Sequence, residues 1–220
     1  VTPAYDVVLL DLDGTIIDSE PGVQEALRHA LVTGFGIAPT TAELEEFMGP
    51  PLSDVLPRLY GLTDPADERR FFELYCDVYF HGTEYEFDVY PGMIDLIHEL
   101  AESGATLVLA TAKPQESAER IIERAGVAAH FAFVAGSASD GSRQDKIDVL
   151  EHAFTQIAAD GSTHRIVMVG DRALDVRAAR AHDVDSIVVD WGYAPPGELD
   201  DCGATHRVSS ADALRTLLLR

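Results

Sequence analysis

The sequence predicts an α/β protein: a parallel sheet with helices on both faces, interrupted by an all-helical insert. Three observations predict it. Short apolar runs at residues 6–11, 105–111, 131–135, 165–170 and 185–190 have the length of buried strands. Helical patterns separate most of them, and that alternation indicates parallel βαβ units covered on both faces. One interval of about 70 residues, 17–88, carries helical patterns alone, which is too much for an ordinary crossover. The expected organisation is a Rossmann-like core of residues 1–16 and 89–220 and an inserted helical cap domain of residues 17–88.

Taken in order, the first strand is Val7-Val8-Leu9-Leu10, and it ends abruptly in Asp11-Leu12-Asp13-Gly14-Thr15. The insert follows, with apolar positions Val23, Leu27 and Leu31, then Leu44, Phe47 and Met48, then Val55, Leu56 and Leu59, then Phe71, Phe72, Tyr75 and Val78. Gly34-Phe35-Gly36, Gly49-Pro50-Pro51 and Thr63-Asp64-Pro65 punctuate these runs. Chain reversals beside Pro21, Gly22, Pro91 and Gly92 mark the expected hinges. A helix over 91–102 places Met93, Ile94, Ile97, Leu100 and Ala101 on one face. The strand 105–111 leads into a helix over 116–125 with Ala118, Ile121, Ile122 and Ala125 aligned. The strand 131–135 precedes a helix over 146–157 with Ile147, Val149, Leu150, Ala153, Phe154 and Ile157. Strands at 165–170 and 185–190 complete the pattern. In open α/β sheets ligands bind beyond the carboxyl ends of the strands. An insert placed after the first strand belongs over that edge, as a lid.

Bulk charge narrows the partners. The chain of 220 residues carries 38 Asp plus Glu against 16 Lys plus Arg, a formal net charge of −22. Such a field repels nucleic acid and anionic membrane. It leaves room for a small anion, because a bound cation reverses the local sign. Cys76 and Cys202 form no metal or redox spacing and read as thiols. No basic, apolar leader opens the sequence, and no run approaches the roughly 18 apolar residues of a membrane span. The expectation is a cytoplasmic enzyme, monomeric or homodimeric, with neither nucleic acid nor membrane as partner.

Residues i and i+2 of an extended chain point the same way, so Asp11 and Asp13 leave the first strand on one side. Two like charges that close need a cation or a shared proton. Other strand ends carry polar groups too. Thr111-Ala112-Lys113-Pro114 precedes a helix, with Pro114 suited to the first helical position. A hydroxyl and backbone N–H groups there make an anion site, although a simple threonine cap reads the same way. Gly170-Asp171 ends a strand, with Asp175 early in the next helix, where capping accounts for one acid more readily than two. Lys146 opens a helix after Gly141-Ser142-Arg143-Gln144-Asp145; alone it reads as a solvated lysine. Together these acids, hydroxyl and lysine fall at one edge. Hard oxygen ligands of this kind suit Mg²⁺, which takes a phosphate oxygen as a further ligand. Lys and Thr would neutralise and orient the same phosphate.

The chain resembles the haloacid dehalogenase-like hydrolase superfamily, in its phosphatase branch. Asp11-Leu12-Asp13-Gly14-Thr15 matches the first motif, Leu109-Ala110-Thr111 the second, Lys146 the third, and Gly170-Asp171-Arg172-Ala173-Leu174-Asp175 the fourth. The helical insert, Asp18, Gly49-Pro50-Pro51-Leu52, Pro91-Gly92 and Asp140-Gly141-Ser142-Arg143 resemble the phosphoglycolate phosphatase-like group. The resemblance implies a Mg²⁺-dependent phosphomonoester hydrolase. Asp11 is then the nucleophile, forming an aspartyl-phosphate. Asp13 protonates the leaving alkoxide and then activates water. The implied metal ligands are Asp11, the backbone carbonyl of Asp13, and Asp171, with Asp175 ligating or positioning. Thr111 and the Ala112 N–H hold a transferring oxygen. Gly14 lets the chain turn close to the phosphate, Thr15 bonds the same region, and Lys113 is a further candidate to face the substrate.

The resemblance implies a small phosphorylated metabolite, phosphoglycolate-like, with a nucleoside 5′-monophosphate as the alternative. A sugar-phosphate mutase needs a cap cation for its second phosphate, and Phe47-Met48-Gly49-Pro50-Pro51-Leu52-Ser53 holds neither Lys nor Arg. Arg28, His29 and Arg58 remain as cap cations, for which a surface role is the plainer reading. A dehalogenase has no use for Asp13, Asp171 and Asp175. A phospho-Asp signalling module of the receiver kind lacks the insert and phosphorylates a later strand. Trp191-Gly192-Tyr193 is expected to pack near the same edge.

Overall fold

A computed structural model describes residues 2–48, 52–159, 161 and 164–220. In chain order the elements are β1 (Val7–Leu10), β2 (Ile17–Asp18), α1 (Glu20–Phe35), α2 (Thr41–Glu45), α3 (Leu52–Tyr60), α4 (Pro65–His81), β3 (Asp88–Val89), α5 (Met93–Glu102), β4 (Thr106–Pro114), α6 (Gln115–Arg124), β5 (Phe131–Ser137), α7 (Lys146–Ile157), β6 (Ile166–Gly170), α8 (Ala173–Ala181), β7 (Asp185–Val189), β8 (His206–Val208) and α9 (Ala211–Leu218). The main sheet has six strands in the order β5-β4-β1-β6-β7-β8, every adjacent pair parallel. The short strands β2 and β3 pair with each other.

Contacts divide the chain into two compact units, Val1–Asp18 with Val89–Arg220, and Ser19–Asp88. In the first unit β1 is central because all four of its residues are apolar and buried. Each such side chain contributes about 1.5–3 kcal/mol by leaving water. Alternation sends Val7 and Leu9 to one face, where they join Val149, Leu150 and Ala153 of α7 and Ala178 and Ala179 of α8. Val8 and Leu10 point to the other face. The chain runs outward from β1 to β4 and β5 on one side, and to β6, β7 and β8 on the other. The carboxyl end of β1 therefore lies at the topological switch point, where such sheets bind ligands.

The second unit has its own core. Leu27, Ala30 and Leu31 of α1 meet Leu44, Phe47, Val55, Leu56 and Phe71, and the Phe47 ring stacks on Tyr60 and Phe71. Arg28 is tied to Glu25 and the Pro39 carbonyl, and Arg58 to Glu46, all within this unit. His29 is exposed. Of the loop beginning at Phe47, which holds neither Lys nor Arg, Gly49, Pro50 and Pro51 lie outside the described residues.

Several local expectations change. The sequence pattern marks five core strands; β8 is a sixth, too short and too polar at His206-Arg207 to show as an apolar run. Strand β4 continues to Pro114, so Thr111–Pro114 is strand end rather than loop. Pro114 is accordingly the N-cap of α6, not its first residue, with extended φ −53° and ψ 135°. Among the described residues no helix is long and apolar enough to cross a membrane.

Candidate active site

The site is assembled from the carboxyl ends of β1, β4, β6 and the start of α7, all in the first unit. Asp11 follows β1 directly, and its N–H still donates to the Val169 carbonyl at 2.9 Å, so the ladder fixes its backbone. Its Oδ1 accepts the Leu12 N–H at 2.7 Å and lies 2.8 Å from Lys146 Nζ. Lys146 is the first residue of α7 because Asp145 caps that helix, accepting the Ile147 N–H at 2.9 Å. Its ammonium sits between Asp11 and Asp175, 2.9 Å from Asp175 Oδ1. Asp175 serves two purposes: its Oδ2 accepts the Arg172 N–H at 3.1 Å, closing the start of α8, while Oδ1 meets the lysine.

Asp171 follows β6. Its Oδ2 accepts the Tyr193 N–H at 2.6 Å. Ligand oxygens of Asp11, Asp171 and Asp175, all buried, lie within 4.8 Å of one another. The Asp13 carboxylate is outside this cluster and has a different cation. Lys113 Nζ lies 3.0 Å from both of its oxygens. The two acids of the first motif thus diverge in their pairing: Asp11 with Lys146, Asp13 with Lys113.

The second motif is opened by a strand irregularity. Ala110 pairs with Ala135 and Pro114 with Ser137, so four steps along β4 match two along β5. Such bulges re-aim groups beside active sites. Here it presents Thr111, Ala112 and Lys113. Thr111 is buried and its hydroxyl accepts the Lys113 N–H at 3.2 Å; Ala112 is exposed. The threonine therefore braces its own bulge and does not cap α6. Thr15 is fully buried, its hydroxyl has no hydrogen-bond partner among the described residues, and its carbonyl accepts Trp191 Nε1–H at 3.2 Å.

Gly14 has φ +76°, and a Cβ there would lie 2.2 Å from Asp171 Oδ2. Packing against that carboxylate forbids a side chain, a reason the motif alone does not reveal. A Cβ at Gly192 would lie 2.3 Å from Asp171 Cβ and 2.4 Å from the Gly14 carbonyl oxygen. The segment Trp191-Gly192-Tyr193 is thus a strap. It holds Thr15 through the indole, Asp171 through the Tyr193 N–H, and Asp18 through the Tyr193 hydroxyl at 2.6 Å. Its place near the edge was readable from the strand before it; its grip on Asp171 was not. A second group without local signal is Glu198. It pairs with Arg172 at 2.8 and 3.0 Å and accepts the Ala173 N–H at 2.8 Å, bracing the start of α8.

Electrostatics mark the cluster as cation-seeking. Burial, then the charges of Asp11 and Asp175, push the Asp171 carboxyl up to about 8, against the Tyr193 N–H and Lys146. Burial pushes Asp11 up to about 6, although Lys146 opposes it. Burial lowers the Lys146 ammonium, but Asp11 and Asp175 outweigh it and hold the group above its ordinary value. Among the described residues, three buried carboxylates meet one buried ammonium, and a divalent cation would relieve the excess negative charge. The all-oxygen donor set fits a hard ion such as Mg²⁺.

Comparison with known proteins follows the same lines. The sequence profile described as haloacid dehalogenase-like hydrolase matches residues 8–189. A tyrosine-protein kinase, PtkA of Mycobacterium tuberculosis, is 36% identical over 214 residues, covering 96% of this chain and 72% of that protein. A 5′-nucleotidase of Pseudomonas aeruginosa is 33% identical, covering 97% and 96%. A phosphoglycolate phosphatase of Mesorhizobium japonicum is 30% identical, covering 85% and 83%. Among solved structures, a candidate phosphatase from Clostridium difficile superposes with a TM-score of 0.91 at 30% identity, covering 98% and 99%.

Proposed function

The chain belongs to the haloacid dehalogenase-like hydrolases and is a phosphatase of that family; on that premise, we propose that it is a Mg²⁺-dependent phosphomonoester hydrolase acting on a small phosphorylated metabolite through an aspartyl-phosphate. One observation carries the proposal: Asp11 is fixed beside Lys146 in a cluster with Asp171 and Asp175, while Asp13 stands apart with its own cation. Nucleophile and acid–base group are thereby assigned different surroundings.

Leu12 N–H and Lys146 hold Asp11 Oδ1, which leaves Oδ2 as the oxygen for attack on phosphorus. Attack forms an Oδ–P bond as the ester P–O bond breaks. Asp13 gives its proton to the departing alkoxide. It then takes a proton from water, whose oxygen attacks the phosphorus and releases Asp11 and inorganic phosphate. Lys146 neutralises charge beside the nucleophile throughout. Thr111 and the Ala112 N–H orient a phosphoryl oxygen from the β4 bulge. Asp11 and Asp171 would hold Mg²⁺, with Asp175 ligating or positioning. The ion, when bound, supplies electrostatic stabilisation of the transferring phosphoryl oxygens.

The phosphoglycolate phosphatase relatives support a phosphoglycolate-like ester, and the 5′-nucleotidase relative supports a nucleoside 5′-monophosphate as the alternative. In this proposal residues 19–88 act as the cap that selects the remote part of the substrate. The PtkA relative supports a second reading, transfer to a tyrosine hydroxyl in place of water. The test is hydrolysis of p-nitrophenyl phosphate with and without EDTA, for the native chain and Asp11→Asn. Loss of turnover by a factor of at least about 1,000 in both cases is expected. Turnover that survives both refutes the proposal. Formation of phosphotyrosine from ATP, with no ester hydrolysis, would favour the second reading.

A further inference from the structure

The phosphoryl-transfer steps make no use of Tyr193, yet this residue reaches the acidic cluster with its backbone and the first-motif loop with its side chain. Its N–H donates to Asp171 Oδ2 at 2.6 Å, and its phenol donates to Asp18 Oδ1 at 2.6 Å. A carboxylate that ligates a divalent ion is itself held by hydrogen bonds, which orient it toward the metal. The Tyr193 N–H is such a hold on Asp171.

That hold lasts only while the backbone at residue 193 stays in place. Strand β7 ends at Val189, so its ladder does not fix the residue. The strap fits closely: a Cβ at Gly192 would lie 2.3 Å from Asp171 Cβ. On one side of Gly192 the Trp191 indole is moored on the Thr15 carbonyl at 3.2 Å. On the other side the mooring is the phenol. A tyrosine has only two side-chain torsions, so tying down its hydroxyl leaves its backbone little freedom. The far end of this tie is firm. Asp18 ends β2, which pairs with β3, and the carbonyl of the preceding Ile17 accepts the Gly14 N–H at 2.8 Å. Asp18 is also the last residue of the first unit before the chain passes into the second.

We propose that Tyr193 is a positioning residue for the metal site: its phenol, moored on Asp18, keeps the backbone N–H against Asp171 and thereby sets the affinity for the divalent ion. This rests on the Mg²⁺-dependent reading above and adds to it a link from the chain at Asp18 to the ion.

Tyr5 supplies a matched control. Its hydroxyl donates to Asp185 Oδ2 at 3.0 Å, the same kind of phenol–carboxylate bond in the same unit, but at the start of β7 and so at the opposite edge of the sheet. Isothermal titration with Mg²⁺, with Tm alongside, compares the native chain, Tyr193→Phe, Asp18→Ala, Asp18→Asn and Tyr5→Phe. Tyr193→Phe and Asp18→Ala are each expected to raise Kd about tenfold or more, within the roughly 10–100-fold that loss of such a support costs. Asp18→Asn keeps an acceptor oxygen and most of the affinity. Tyr5→Phe lowers Tm at most and leaves Kd unchanged. The double variant Tyr193→Phe with Asp18→Ala binds no more weakly than either single one, because both break one bond. An unchanged Kd in Tyr193→Phe or Asp18→Ala overturns the inference, as do additive losses in the double variant or an equal loss in Tyr5→Phe. Should Tyr193→Phe fail to fold, Asp18→Ala against Asp18→Asn decides the same point. A native chain without measurable Mg²⁺ binding overturns it as well; the parent reading falls only if hydrolysis of p-nitrophenyl phosphate also persists in EDTA and in Asp11→Asn.

Discussion

Asp171 offers a test of the proposed metal binding without an activity assay. Burial, with the charges of Asp11 and Asp175, pushes its carboxyl up to about 8 in the folded chain from an ordinary value of 3.8. Between these values the unfolded chain has released a proton that the folded chain retains, so stability falls as pH rises through that window. Asp11, pushed to about 6, adds the same sign over a narrower range. A divalent cation favours both ionised carboxylates and reverses the loss. In EDTA, Tm should therefore drop between about pH 5 and about pH 8, and Mg²⁺ should raise it more at the higher pH. Calorimetric scans at a series of pH values check this; equal Mg²⁺ shifts at both ends would contradict it. Gly14→Ala should be damaging for two reasons. The left-handed backbone at φ +76° costs about 1–2 kcal/mol for a side chain, and the new Cβ displaces Asp171. Isothermal titration should show Mg²⁺ affinity reduced along with stability.

At the scale of elements, the site depends on how helices begin. Helix α7 starts at Lys146 because Asp145 caps it, and α8 starts where Glu198 and Asp175 between them take the N–H groups of Ala173 and Arg172. Glu198→Ala leaves a partly buried Arg172 and the Ala173 N–H without that acceptor. A loss of about 1–3 kcal/mol in urea unfolding is expected, together with a higher Mg²⁺ requirement because α8 carries Asp175. In the other unit, Thr40 and Glu43 form a reciprocal capping box at α2. Thr40→Ala should cost about 1 kcal/mol there and leave Mg²⁺ affinity unaltered. The pair of variants separates a helix start that serves the site from one that serves only folding.

On the scale of the whole molecule and among the described residues, the cluster around β1 and α7 and the cluster around Phe71 have separate memberships. Phe71→Ala should destabilise by about 3–5 kcal/mol. Hydrogen exchange should show the loss of protection concentrated in residues 19–88, with β1, β4 and β6 keeping theirs. Uniform loss across both units would mean that they unfold as one. The net charge of −22 acts at the same scale. It opposes the approach of anionic substrate, so kcat/KM should rise as salt screens the field and level off near physiological ionic strength.

The sequence by itself determined the alternation of strands and helices, the helical interval between the first two core strands, and the acids, threonine and lysines at the strand ends. Apolar periodicity and strand-end chemistry are local, so they survive in a linear text. The helix over 146–157 is legible to the residue because its cap, its first lysine and its apolar spacing are all local. Only the tertiary structure decided which cation each carboxylate meets, that Lys146 bridges Asp11 and Asp175, that Lys113 takes Asp13, and that a glycine is required where Asp171 packs. It also decided that Tyr193 and Glu198 brace the site. Those contacts join residues that are 22 to 100 or more positions apart. Charge pairing and steric exclusion act through space, and no spacing along the chain encodes a distance between segments that only the sheet order brings together.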